Sequence, residues 1–137
     1  MKKLSKIAIT LMVALSVVFA FTACNSSKNI VKGYQLAGYT VSNLKVQEDS
    51  EIYPELEQLF GAETARSYIG YPLYHAQCPS TNIVMSAMIV EFPSASKLKE
   101  ALSNNYDKYL KDGKINGNCL LMSNWIGKDT KQIFNNN

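Results

Sequence analysis

The chain has 137 residues, 47% of them hydrophobic, and 14 basic against 11 acidic side chains give a formal charge of +3. Lys2, Lys3 and Lys6 carry that whole excess, so the remainder is balanced at 11 charges of each sign and holds no dense Lys/Arg cluster. Composition therefore excludes a phosphate-tracking nucleic-acid surface, and length excludes two domains of ordinary size.

The three lysines precede an apolar run from Ile7 to Phe21, broken only by Thr10 and Ser16. At about 15 residues the run is short of the ~20 that a helix needs to cross a bilayer. A basic start, an apolar middle and a small-residue end form the layout of an export signal. Here the end is Phe21-Thr22-Ala23-Cys24. This stretch resembles a bacterial prelipoprotein signal, whose lipobox puts a cysteine directly after the cleavage point; Phe21 stands where the box usually has leucine. The resemblance implies that residues 1–23 are removed and that Cys24 is thioether-linked to diacylglycerol. The implied address is the extracytoplasmic face of a bacterial cell membrane, with palmitate-type chains as the anchor. Asn25, Ser26, Ser27, Lys28 and Asn29 are polar, so residues 24–33 are expected to be the lipidated cysteine and its tether. Residues 34–137 remain for a single domain.

Within that domain, residues 36–46 read as a strand. Tyr39 and Val41 point one way, and Leu44 and Val46 take the other phase, which suggests a bulge or turn near Ser42-Asn43. Pro54 suits the first turn of a helix whose positive end favours Glu55 and Glu57. Leu56, Leu59 and Phe60 make its apolar stripe, Gly61 ends it, and a second helical turn runs from Ala62 to Tyr68. Gly70 and Pro72 bound a loop. Ile83 to Phe92 is nearly all apolar and reads as a central strand buried on both faces. Pro93 and Ser94 stop it and open a helix with Leu98, Leu102, Tyr106 and Tyr109 at helical spacing, ended by Asp112-Gly113. Asn116-Gly117 makes a turn, Cys119 to Ile126 a second strand, and Asp129 with Gln132 caps a short last helix. Asn135 to Asn137 is expected to fray. The sum is an α+β fold with a strand-helix-strand core over residues 83–126, a right-handed crossover if its strands run parallel. Residues 54–134 also resemble, by pattern alone, the small lipoproteins of Gram-positive anaerobes, a resemblance that implies no activity.

Charge is uneven along the domain. Glu48, Asp49, Glu51, Glu55, Glu57 and Glu63 stand together without a base, and residues 97–131 carry seven lysines against four acids. Two solvated faces account for this more simply than a docking surface. The acids lack the alternating spacing of a calcium loop.

Cys78 and Cys119 remain after lipidation of Cys24, in a compartment where disulfides persist. Parallel neighbouring strands would place both at one end of the sheet. A bridge closing that 41-residue loop would contribute about 4 kcal/mol in the chain-entropy picture. His75, the only histidine, forms His-x-x-Cys with Cys78. One such pair without a second ligand motif neither builds a metal centre nor orients a base on a nucleophile. Met85 and Met88 on an apolar strand read as core filler. Tyr68, Tyr71 and Tyr74 crowd one short loop, where tyrosines serve either as a recognition surface or as a lid on the core.

No catalytic residue, metal site or cofactor is expected. The reading that needs the fewest residues in special roles is a non-enzymatic binding or interaction module. It would be joined to the membrane through its lipid and meet an envelope protein or ligand. The alternatives are a small metal-handling or hydrolytic lipoprotein using His75 and Cys78, and an immunity or exclusion lipoprotein.

Overall fold

A computed structural model describes residues 25–78, 86–122 and 128–137. The leader and Cys24, Ile83 to Met85 of the central strand, and residues 123–126 of the second strand lie outside the described residues. The architecture is α+β. The helices are α1 (Asn25–Leu36), α2 (Tyr53–Phe60), α3 (Ala62–Ser67), α4 (Ala95–Leu102), α5 (Tyr106–Lys111) and α6 (Lys128–Asn136). The strands are β1 (Thr40–Lys45), β2 (Pro72–Gln77), β3 (Ser86–Glu91), β4 (Ile115–Asn116) and β5 (Cys119–Met122). They form one antiparallel-paired sheet in the order β1-β2-β3-β5-β4.

The sheet is covered on both sides. On β3, Met88 and Val90 join one core and Ala87 and Ile89 the other, as alternation along a strand requires. The same holds on β5, where Leu120 and Met122 face one way and Cys119 and Leu121 the other. Leu56, Ala65, Leu98 and Leu102 bring α2, α3 and α4 onto the first face. Ile30, Tyr34 and Phe134 bring α1 and α6 onto the second. The central, doubly buried strand expected from its unbroken apolar run is therefore present.

The polar stretch expected to be a tether is instead the first helix. Ile30 and Tyr34 are fully buried in the second core. The Tyr34 hydroxyl donates to the Thr130 carbonyl at 2.6 Å, tying α1 to α6. Burial holds that hydroxyl far above the usual tyrosine range, so it remains a donor. Ile30 and Tyr34 lie four residues apart on one helix face. Two large side chains among many polar ones are a faint periodic signal, and tertiary burial supplies the rest.

Three further expectations change. The phase switch in β1 is not a bulge: its register with β2 is continuous from Thr40↔Gln77 to Lys45↔Pro72. Tyr39 joins the α1/α6 core and Val46 the opposite one, so a regular strand serves the two faces in turn. Pro72 to His75, expected within the aromatic loop that starts at Tyr68, belong to strand β2. The helix expected from Ser94 to Lys111 breaks after Leu102 into a 3₁₀ turn, Ser103–Asn105, before α5 begins. Its start is as expected, with the Ser94 hydroxyl accepting from Lys97 N at 3.1 Å.

The crossover is corrected as well. β5 is antiparallel to β3, because the two-residue strand β4 intervenes and the turn at Gly117-Asn118 reverses the chain. The strand parallel to β3 is thus β4, with β5 inserted between them. This removes the basis of the expected Cys78–Cys119 bridge. Cys119 pairs with Glu91 at one end of β3, whereas Cys78 follows Gln77, which pairs with Ser86 at the other. Five residues of strand separate those ends by about 17 Å, beyond the ~7 Å that a disulfide spans. No disulfide joins the two.

At the C-terminus, Asp129 lies in the first turn of α6 rather than before it. The tail is anchored, with Asn135 Nδ2 donating to the Gly113 and Lys131 carbonyls at 2.8 Å. Acidic and basic segments meet at one point. The Glu55 carboxyl is pushed above its ordinary range by burial, an effect Lys114 opposes, while Lys114 Nζ sits 5.2 Å over the Tyr109 ring.

Two measurements test this packing. Ile30→Ala should cost about 2–5 kcal/mol in urea unfolding, as expected for a core truncation; a loss under about 0.5 kcal/mol would return residues 25–33 to a tether. At Glu55 the folded state favours the protonated carboxyl, so its contribution is full at low pH and is lost as pH rises through the folded pKa. Glu55→Gln should therefore gain stability relative to wild type between about pH 4 and pH 7. A variant that loses ground over that interval would show that the pull of Lys114 dominates.

Candidate functional site

The first face of the sheet is incompletely closed. Gly61 turns α2 sharply into α3 at φ 87°, and the chain then returns through Tyr68 and Tyr71 to β2. Opposite them α4 leaves β3 after Phe92. Between these two arms lies a cleft of about 570 Å³, within the ~300–1,000 Å³ of small-ligand sites.

One wall is aromatic. The Tyr68 ring meets Phe60 at 5.1 Å and Phe92 at 5.2 Å, both edge to face, and Tyr71 at 5.2 Å; Tyr71 meets Phe92 at 5.6 Å. Such pairs add about 0.5–1.5 kcal/mol each beyond burial, so the wall is preformed. Phe92 and Tyr68 are buried, whereas Tyr71 and Phe60 keep part of their rings toward the opening. The other wall is polar: Lys97 and Glu100 on α4, then Ser103, Asn104 and Asn105. Lys97 Nζ and Glu100 Oε2 are 3.5 Å apart. Both side chains are well exposed, so this pair contributes little to stability and remains available to a ligand.

Electrostatics set the state of the donors. Burial raises the pKa of Tyr68, and the neighbouring Tyr71 and the Glu100 carboxylate push it further. The Tyr68 hydroxyl therefore stays protonated. The wall offers a hydroxyl, two amides, a cation and an anion against aromatic surface. Groups of these kinds in one recess are suited to a polar ligand with an apolar face.

The far rim is strained. Ser103 has φ 50° and ψ −119°, and it is the only non-glycine residue with positive φ among the described residues. That region favours glycine, and a serine held there costs on the order of 1–3 kcal/mol. The break swings Asn104 and Asn105 into the cleft in place of another turn of α4.

Of the expected recognition tyrosines, the fold brings Tyr68 and Tyr71 together here and sends Tyr74 elsewhere. Tyr74 lies on β2 against the opposite core, where its hydroxyl donates to Glu91 Oε2 at 3.3 Å. The three are thus not one loop surface. His75 is half-buried opposite Met88 on β3. Cys78 packs against the α1/α6 core. Three residues apart on extended backbone, they project to opposite faces. Among the described residues no three His, Cys, Asp or Glu side chains gather as a metal site. Cys119 is buried, its Sγ 3.8 Å from Asn118 Oδ1. The polar wall was missed in sequence because Ser103-Asn104-Asn105 sits inside an apparent helical stripe. Its run of backbone-competing side chains is the signal that marks the break.

No protein-family model matches the chain, and neither a curated protein nor a solved structure matches it. The class that the fold and cleft define is a small α+β domain with a preformed aromatic and polar recess.

Ser103→Gly should raise stability by about 1 kcal/mol, the relief of strain exceeding the entropy that glycine costs. Denaturant unfolding reads this directly, and a destabilised variant would show that the backbone at this rim is relaxed.

Proposed function

We propose that the protein is a lipid-anchored, extracytoplasmic binding module of the bacterial cell envelope, non-enzymatic, whose ligand or partner segment seats in the cleft between α3 and α4. The observation that carries the reading is the cleft itself. A fixed aromatic wall faces a row of exposed hydrogen-bonding side chains, and the rim keeps a strained residue where glycine would be more stable. Strain of this kind persists where the surrounding structure over-determines it, and it clusters at ligand clamps. The anchor is supported by the lysine-rich start, the short apolar run and the Thr-Ala-Cys end of the leader. No helix among the described residues is long and apolar enough to cross a membrane; the proposed hold on the bilayer is the Cys24 acyl group. Two or three acyl chains provide a durable one.

Cleft chemistry suits recognition more than turnover. The reading is supported by the character of the cleft lining, aromatic on one side and hydrogen-bonding on the other, whereas the alternative of a metal-handling or hydrolytic lipoprotein would draw on His75 and Cys78, which alternate to opposite faces of the extended chain.

The test is photocrosslinking in intact cells. A photoreactive residue at Glu100, on the cleft wall, should capture an envelope component that one at Glu57, on the exposed side of α2, does not. Tyr71→Ala should abolish the capture without loss of fold. Equal capture from both positions, or capture indifferent to Tyr71, would place binding elsewhere. Mass spectrometry of the membrane fraction should show residues 1–23 absent and a diacylglyceryl group on Cys24.

A further inference from the structure

The two edges of the sheet are finished differently. At one edge β4 is two residues long and is tied to α6, Asn116 Nδ2 donating to Phe134 O at 2.8 Å. At the other, β1 runs six residues from Thr40 to Lys45, and among the described residues nothing pairs with its outer side. Folded proteins blunt such an edge with proline, a bulge or an inward-pointing charge. β1 contains no proline, its register with β2 is continuous, and its one charged residue, Lys45, stands at the last position. Every residue of the strand except Val41 is exposed.

Hydrogen bonds just past the strand fix which of its backbone groups point outward. Val46 N donates to Tyr71 O and Gly70 N donates to Val46 O, both at 2.9 Å, so both polar groups of Val46 turn to the β2 side. Successive residues of an antiparallel strand turn these groups to alternate sides. Thr40, Ser42 and Leu44 therefore bond to β2, and Val41, Asn43 and Lys45 aim N–H and C=O away from the sheet. The faces alternate in the same way. Val41 packs on the α1/α6 core and Val46 on the opposite one, which puts Ser42 and Leu44 on the face of Val46.

We propose that β1 is a dimerisation strand, pairing antiparallel with β1 of a second copy of this chain to make one continuous sheet. The occupant is a second copy because the strand is complementary to itself. A twofold axis at Asn43 sets Asn43 opposite Asn43 of the other copy and Val41 opposite its Lys45. Every outward N–H on both strands then meets an outward carbonyl. An axis at any other residue of the strand leaves at least one of the three outward residues without an outward partner, and one at Lys45 would oppose two like charges. In the Asn43 register Leu44, 48% exposed, lies opposite Ser42 and diagonal to Leu44 of the other copy, within side-chain reach. The two lysines stand four residues apart along the paired strands, about 14 Å. The contact uses the same patch on both copies and closes on itself, so assembly stops at two. It needs neither the lipid nor the cleft.

The experiment uses the full-length chain, expressed in bacterial cells and oxidised with copper phenanthroline. In this register the two Asn43 Cα atoms are about 5.5 Å apart, inside the ~4.4–6.8 Å that a disulfide spans. Asn43→Cys should run largely as a disulfide-linked dimer on non-reducing gels, with the wild-type chain, which keeps Cys78 and Cys119, as background. Ser42→Cys, two residues out of register with its own copy, should bridge several-fold less. Val41→Cys and Lys45→Cys should bridge when expressed together and not when either is expressed alone. Asn43→Pro removes an outward N–H that the sheet does not use. It should keep the fold by circular dichroism while lowering amine-crosslinked dimer several-fold, and Leu44→Glu, at an exposed position, should lower it too. Bridging of Asn43→Cys no greater than wild type overturns the dimer. Equal bridging at 42 and 43, or from either single variant at 41 and 45, overturns the register. Full dimer in folded Asn43→Pro overturns the backbone pairing. A mixed disulfide from Asn43→Cys to a different protein overturns the choice of a second copy.

Discussion

Everything else in the molecule follows from burying β3 on both faces. Ala87, Met88, Ile89 and Val90 are all buried, and a strand apolar on both sides is stable only when each face of its sheet is covered. A domain this small has few elements to supply two covers. The chain between β1 and β2 folds into α2 and α3 for one face and shares it with α4. The other face takes α1 and α6, elements from opposite ends of the chain joined by the hydrogen bond from Tyr34 to Thr130. Recruitment of the first polar segment into a helix is thus a consequence of the central strand. Leaving residues 25–36 loose would expose Ala87, Ile89, Cys119 and Leu121, and α6 alone is too short to hide them.

The same demand explains the reversal at β4. A connection from β3 that returned directly into the neighbouring position would have set β5 parallel to β3. Two residues of β4 and the tight turn at Gly117, φ 60°, put β5 between β3 and β4 instead. β5 then gains a pairing partner on each side, and its four residues are all buried. The shortest strand in the fold serves to seat another strand at the centre.

What was legible in the sequence is what a local pattern encodes by itself. The apolar run of β3, the Pro54 start and Gly61 stop of α2, and the Ser94 cap of α4 each follow from short-range chemistry and lie where their residues placed them. What was not legible depended on partners distant in the chain. In β2 the two faces are both partly covered, so Leu73, Tyr74, His75 and Ala76 show no clean period of two. In α1 only Ile30 and Tyr34 carry the apolar face, and their weight comes from Phe134, about a hundred residues away. The cysteine argument failed because strand direction rests on a two-residue strand that no periodicity can reveal. In the cleft, the tyrosines were visible as an aromatic excess, but the polar wall required knowing that a helix would break at Ser103.

That break links stability to the proposed role. Continuing α4 through Ser103 would carry Asn105 toward the buried face of Leu102 and turn Asn104 to the far side of the helix, displacing amides that now line the cleft with Tyr71. A glycine at the bend would relax the backbone, but it would also widen the range of conformations open to the rim. Serine keeps the bend narrow at an energetic cost, and the ring cluster of Phe60, Tyr68, Tyr71 and Phe92 holds the facing wall fixed. A packed aromatic wall facing a backbone bent at one strained residue forms a recess whose backbone shape is set by the fold. Pre-organisation of this kind reduces the ordering cost of binding, and a small domain with little surface to offer benefits from it more than a large one.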